Sequence, residues 1–73
     1  MPAAALAAIY DLTPAETRVL ELLVDGKAPT EIGIHLGISM NTVKTHLQRV
    51  YDKTGARRQA DLIQLVGSLS LPV

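Results

Sequence analysis

Apolar residues recur at helical spacings in four segments of the chain, and helix start and stop signals bound most of them. Leu12-Thr13-Pro14-Ala15-Glu16 begins the first. Thr13 is placed to cap, Pro14 suits the first helical position, and Glu16 completes a Thr-x-x-Glu capping box. Val19, Leu20, Leu22, Leu23 and Val24 fill most of one side, and Gly26 is the stop, giving a helix from about Pro14 to Asp25. A second, short helix opens at Pro29, carries Ile32 and Leu36 on one face, and ends at Gly37. The turn Gly37-Ile38-Ser39 points Ile38 inward and sets Ser39 as the cap of a third helix. That helix is predicted from about Met40 to Thr54, with Gly55 as its stop. Val43, Leu47, Val50 and Thr54 form its apolar stripe, flanked by Met40 and Tyr51. Its opposite side holds Asn41, Lys44, Thr45, Gln48 and Asp52, bordered by Thr42, Arg49 and Lys53. A fourth helix, from about Arg58 to Gly67, carries Leu62, Ile63, Leu65 and Val66, and Leu69 and Leu71 extend its apolar surface.

Residues 1–11 are expected to be a lead-in, either a linker or tail or the end of a helix from an upstream domain. Ala3, Ala4, Ala5, Ala7 and Ala8 favour helix but bring little surface to bury. Residues 12–71 are expected to form one all-α domain, a small four-helix bundle containing a helix-turn-helix.

Composition narrows the possibilities. The 73 residues are 48% hydrophobic, with no Cys, Trp or Phe, so aliphatic packing must stabilise the fold without disulfides. His35 and His46 are the only histidines, too few for a four-ligand zinc site without cysteine. Glycine-rich phosphate loops, carboxylate pairs and nucleophile–base pairs are missing, so no enzyme activity and no cofactor are expected. Apolar runs all fall short of the ~20 residues that cross a bilayer. A cytoplasmic location is the default expectation.

A net charge of zero argues at first against a nucleic-acid partner. The sum hides an asymmetry. Residues 1–38 carry two basic and five acidic residues, whereas residues 39–73 carry five basic and two acidic. The basic residues Lys44, Arg49, Lys53, Arg57 and Arg58 all lie in or just after the third predicted helix, and Asp52 is the only acidic residue from Ser39 to Arg58. Such a split points to a basic working surface.

Two helices joined by a three-residue turn that starts with glycine are the signature of a helix-turn-helix. In that motif the second helix presents its N-terminal residues to base edges in the major groove. The residue types fit. Lys44 suits guanine, Gln48 and Asn41 suit adenine, and Thr45 offers a hydroxyl or a methyl. Thr42, Arg49 and Lys53 are placed to hold phosphates. Any amphipathic helix also turns polar residues outward, so each residue alone has an ordinary explanation as solvated surface. Turn length, glycine, serine cap and charge asymmetry together favour DNA.

Leu12-Thr13-Pro14-Ala15-Glu16 with Val19-Leu20, then Gly26, Glu31-Ile32, Leu36-Gly37-Ile38-Ser39, Thr42-Val43-Lys44-Thr45-His46-Leu47, and Lys53 with Gly55 follow one another in register. This stretch, about residues 12–66, resembles the DNA-binding domain of LuxR-type transcription regulators, shared with FixJ and GerE relatives. The resemblance implies base contacts from Lys44, Thr45 and Gln48, with Ser39 and Asn41 at the helix entrance and phosphate contacts from Thr42, Arg49 and Lys53. It also implies a homodimer on an inverted-repeat site, supported by the last helix, where Ile63, Val66, Leu65 and Leu69 are the candidate contacts. Gly33 stands where a small alanine is usual, Ala28 where a capping residue is common, and Thr54 where leucine is usual. Gln59 replaces a usual arginine, and Arg57 and Arg58 are the candidates to take over its phosphate contact. An upstream sensor or receiver domain in a longer chain is expected. The competing expectation is a helical protein-interaction or dimerisation module that binds no DNA.

Overall fold

In the computed structural model the described residues are 3–70, with side chains to residue 68. Five helices follow in order: α1 (Ala3–Tyr10), α2 (Pro14–Val24), α3 (Pro29–Leu36), α4 (Met40–Thr54) and α5 (Gln59–Ser70). The described residues contain no strand, so the expected all-α bundle is what forms.

The helix boundaries have local causes. At the start of α2 the Thr13 hydroxyl accepts the Glu16 N–H at 3.1 Å, and the Glu16 carboxylate accepts the Thr13 N–H at 3.0 Å. Both halves of the capping box are therefore made. At α3 only one half exists, because Ala28 has no side-chain acceptor; the Glu31 carboxylate takes the Ala28 N–H at 2.9 Å. Gly37 ends α3 at φ +68°, a conformation that costs glycine little. The Ile38 N–H then reaches the Gly33 carbonyl at 3.0 Å, and the Gly37 N–H reaches that of Ile34 at 3.3 Å. This pairing satisfies two end carbonyls of α3 and turns the chain into α4. There the Ser39 hydroxyl accepts the Thr42 N–H at 3.2 Å.

Val19, Leu20 and Leu23 of α2, Ile32 of α3, Val43 and Val50 of α4 and Leu62 of α5 are all buried in a single core. α4 packs against both α2 and α3, so its orientation is fixed from two sides. The helix-turn-helix corner is tight. A Cβ on Gly33 would lie 3.1 Å from the Ile38 carbonyl oxygen and 3.4 Å from Val43 Cγ2. The glycine costs ~1 kcal/mol of helix propensity and lets α3 sit close to the turn. Thr54 places its hydroxyl beside the core without leaving it unpaired: it donates to the Val50 carbonyl at 2.8 Å and accepts the Ala56 N–H at 3.3 Å.

Two expectations change. Of residues 1–11, Ala3–Tyr10 form a helix rather than a linker or tail: α1 packs on α2 and α5, with Ala3 and Leu6 buried. The helix closes at Asp11, whose φ is +58°, and the Leu12 N–H returns to the Ala7 carbonyl at 3.0 Å. Alanines bury little surface individually, and Leu6 is the largest fully buried side chain of α1, with Ala7 and Tyr10 packed partly against the core beside it. Val66, expected at a dimer contact, is 4% exposed and belongs to the domain's own core. Helix α5 turns Ile63 outward and leaves Leu65 half-buried, while the Leu69 side chain and residue Leu71 lie outside the described residues.

Candidate nucleic-acid interface

With Val43 and Val50 of α4 held in the core, its opposite side faces solvent. Lys44, Thr45, Gln48, Arg49 and Asp52 line one shallow surface depression there, so five residues separated by up to two helical turns share a single face. Asn41 is exposed one turn before Thr45, whose hydroxyl donates to the Asn41 carbonyl at 3.0 Å. That bond uses the Thr45 proton and leaves the oxygen lone pairs available. At the helix entrance the Ser39 and Thr42 hydroxyls lie 3.0 Å apart. Met40 is partly exposed beside them, and Ile34 on α3 is 83% exposed, giving this edge of the face an apolar border.

The structure brings Asn41, Lys44, Thr45, Gln48 and Arg49 together as the sequence predicts. Asp52 belongs with them, although residue type alone assigns it no role. The Gln48 amide donates to its carboxylate at 3.0 Å, and the i, i+4 spacing is the signal for that contact.

Lys53 is placed differently from the rest. Its ammonium donates to the Glu16 carboxylate at 2.7 Å and to the Asp11 carbonyl at 2.9 Å, bridging α4 to the start of α2 and the end of α1. The Glu16 side chain is 3% exposed and that of Lys53 30%. Burial pushes the Glu16 carboxyl up, but the Lys53 ammonium and the Thr13 N–H outweigh that and hold it below its ordinary value. Two of the three N–H donors of the Lys53 ammonium are thus engaged with the fold. These partners lie 37 and 42 residues away, so no local pattern announces them.

Arg57 and Arg58 are exposed in the loop before α5. Asp61 accepts the Arg57 N–H at 3.0 Å and lies 3.7 Å from the Arg58 guanidinium. The Arg57 N–H and the Arg58 charge hold the Asp61 carboxyl below its usual range. In Tyr51, burial and then the Asp61 carboxylate push the phenol up from its ordinary value. His46 is half-buried at the edge of α4. Glu21 and Asp25, two of the acidic residues of the first half of the chain, lie away from this face and line a separate groove with Arg18 and His35 between α2 and α3.

A helix-turn-helix corner carrying this face is the arrangement shared by a known group of regulators. The sequence profile of bacterial regulatory proteins of the luxR family matches residues 10–66. The chain belongs to the luxR family. Among similar proteins is the "Probable transcriptional regulatory protein SgaR" of Hyphomicrobium methylovorum, 39% identical over 62 residues, covering 85% of this chain and 29% of that protein. The "C4-dicarboxylate transport transcriptional regulatory protein DctR" of Rhodobacter capsulatus is 42% identical over 50 residues, covering 68% of this chain and 25% of that protein. A "Probable transcriptional regulator" of Cyanophora paradoxa is 35% identical over 54 residues, covering 74% and 26%. The chain thus spans between a quarter and a third of the length of these relatives. No solved structure matches it significantly. The LuxR-type helix-turn-helix is a DNA-binding element of transcription regulators, and α3 and α4 form it here. No helix among the described residues is long and apolar enough to cross a membrane.

Proposed function

We propose that this domain binds specific duplex sites by laying α4 in the major groove, as the output part of a longer cytoplasmic transcription regulator. The carrying observation is the outward face of α4. Asn41, Lys44, Thr45 and Gln48 are exposed together, on a helix whose orientation α2 and α3 fix. Arg49 borders that face, and Arg57 and Arg58 lie exposed in the following loop, where they supply charge for phosphates. Ser39 and Thr42 contribute hydroxyls and the N-terminal backbone of α4. Two copies pair on an inverted repeat, with exposed Ile63 and half-buried Leu65 of α5 as the described contact residues. Pairing matters because a single copy with zero net charge has little sequence-blind affinity to add. An upstream sensor or receiver domain in the longer chain supplies the signal; the greater length of the relatives supports this.

Selection of bound sites from random duplex DNA tests the proposal. Enrichment of an inverted repeat is expected. Absence of any enrichment at low salt, together with a stable complex with another protein, is the result expected of an interaction module and overturns the DNA reading.

A further inference from the structure

One acidic residue on the proposed reading face needs an explanation. Asp52 is exposed in the same depression as Lys44 and Arg49, where a carboxylate repels the phosphates that those cations attract. We propose that Asp52 is a positioning residue that makes Gln48 a reader of adenine. The inference rests on α4 lying in the major groove.

A carboxylate only accepts, so the group of Gln48 that faces Asp52 Oδ1 at 3.0 Å must be its NH₂. The amide orientation is therefore fixed by chemistry, and a flipped amide would set oxygen against oxygen. One N–H of Gln48 is used in this way. What remains toward the groove is one N–H and the carbonyl oxygen, a single donor beside an acceptor. Adenine presents the complement, an N6 amino donor beside the N7 acceptor. Guanine presents two acceptors, O6 and N7, and its O6 meets the Gln48 carbonyl oxygen. Cytosine and thymine each satisfy only one of the two groups. Without Asp52 the amide is free to rotate and to offer both N–H groups, so guanine becomes acceptable. Asp52 thus trades electrostatic affinity for base discrimination. Its bond to Gln48 is exposed and lies within one helix, so its removal leaves the core untouched.

The test uses the intact chain and a duplex obtained by site selection, with all four bases placed in turn at each operator position. Gln48→Ala first identifies the position that Gln48 reads, as the one whose base preference flattens. At that position the unsubstituted protein is expected to prefer adenine. Asp52→Ala is expected to reduce the preference for adenine over guanine about two-fold, the scale of an exposed i, i+4 amide–carboxylate pair. Its affinity for unrelated duplex should rise about three-fold as a repulsive charge is lost. Asp52→Asn keeps an acceptor without the charge. It should therefore retain more of the adenine preference than Asp52→Ala while showing a similar gain on unrelated duplex. An unchanged preference in Asp52→Ala, or a position that does not favour adenine, overturns the positioning role while leaving major-groove binding in place. If Gln48→Ala flattens no position while Lys44→Ala does, this inference fails with the docking of α4 intact; if neither substitution flattens a position, the docking of α4 itself is wrong.

Discussion

Replacing Lys53 with alanine is expected to destabilise the domain by about 3 kcal/mol, read as a shift in the midpoint of urea unfolding. The cause is the carboxylate left behind. Glu16 is 2% exposed and would keep the Thr13 N–H but lose the ammonium at 2.7 Å. An uncompensated buried charge is costly, and the partly exposed position of Lys53 keeps the figure at the lower end of the usual range for breaking such a pair. The pH dependence has a definite sign. The folded-state pKa of Glu16 is lowered from an ordinary value of 4.5, so its stabilisation is complete above that value. As pH falls through the lower folded-state value, the carboxyl protonates and the contribution is lost. The stability gap between the unsubstituted protein and Lys53→Ala should therefore be widest near neutral pH and shrink in acid. A phosphate-binding role alone for Lys53 predicts the opposite pattern: no stability change at any pH and a shallower salt dependence of DNA binding.

Lys44→Ala is expected to weaken binding to a selected duplex by ~1–3 kcal/mol, or roughly five- to 150-fold, and to relax base preference at one position of each half-site. Lys44 is exposed on the outward face beside Thr45 and Gln48, and the adjacent Val43 is buried in the core. Truncating its side chain leaves the packing of α4 unchanged, so the loss measures contact with DNA. Quantitative mobility-shift titration checks both the loss and the relaxed position. Unchanged affinity would mean that α4 meets DNA in another orientation.

These two lysines show which parts of the domain a sequence can disclose. Lys44 is legible because helical periodicity fixes its direction: Val43, Leu47 and Val50 on one side leave Lys44 and Gln48 on the other. The corner is legible because Gly37 and Ser39 act within a few residues of where they stand. The boundaries of α2, α3 and α4 follow from the same kind of short-range chemistry. Lys53 has the same periodicity argument as Arg49, but its environment is set by Glu16 and Asp11, which the fold brings from far along the chain. Helix α1 is obscured for a different reason. Five alanines in six positions give no marked apolar face, and the burial of Ala3 and Leu6 appears only once α2 and α5 stand beside them. In α5 the apolar residues exceed one stripe, so periodicity cannot sort core from surface; packing assigns Leu62 and Val66 to the core and leaves Ile63 outside.

The central claim is that the outward face of α4 is the surface that meets DNA. The most direct test is an NMR titration of the ¹⁵N-labelled chain with a selected duplex, following backbone amide shifts. The largest shifts are expected in α4 and at its entrance, from Ser39 to Arg49, with smaller ones at Arg57 and Arg58. Shifts centred instead on the groove of Arg18, Glu21, Asp25 and His35 between α2 and α3, with α4 unmoved, would contradict the claim.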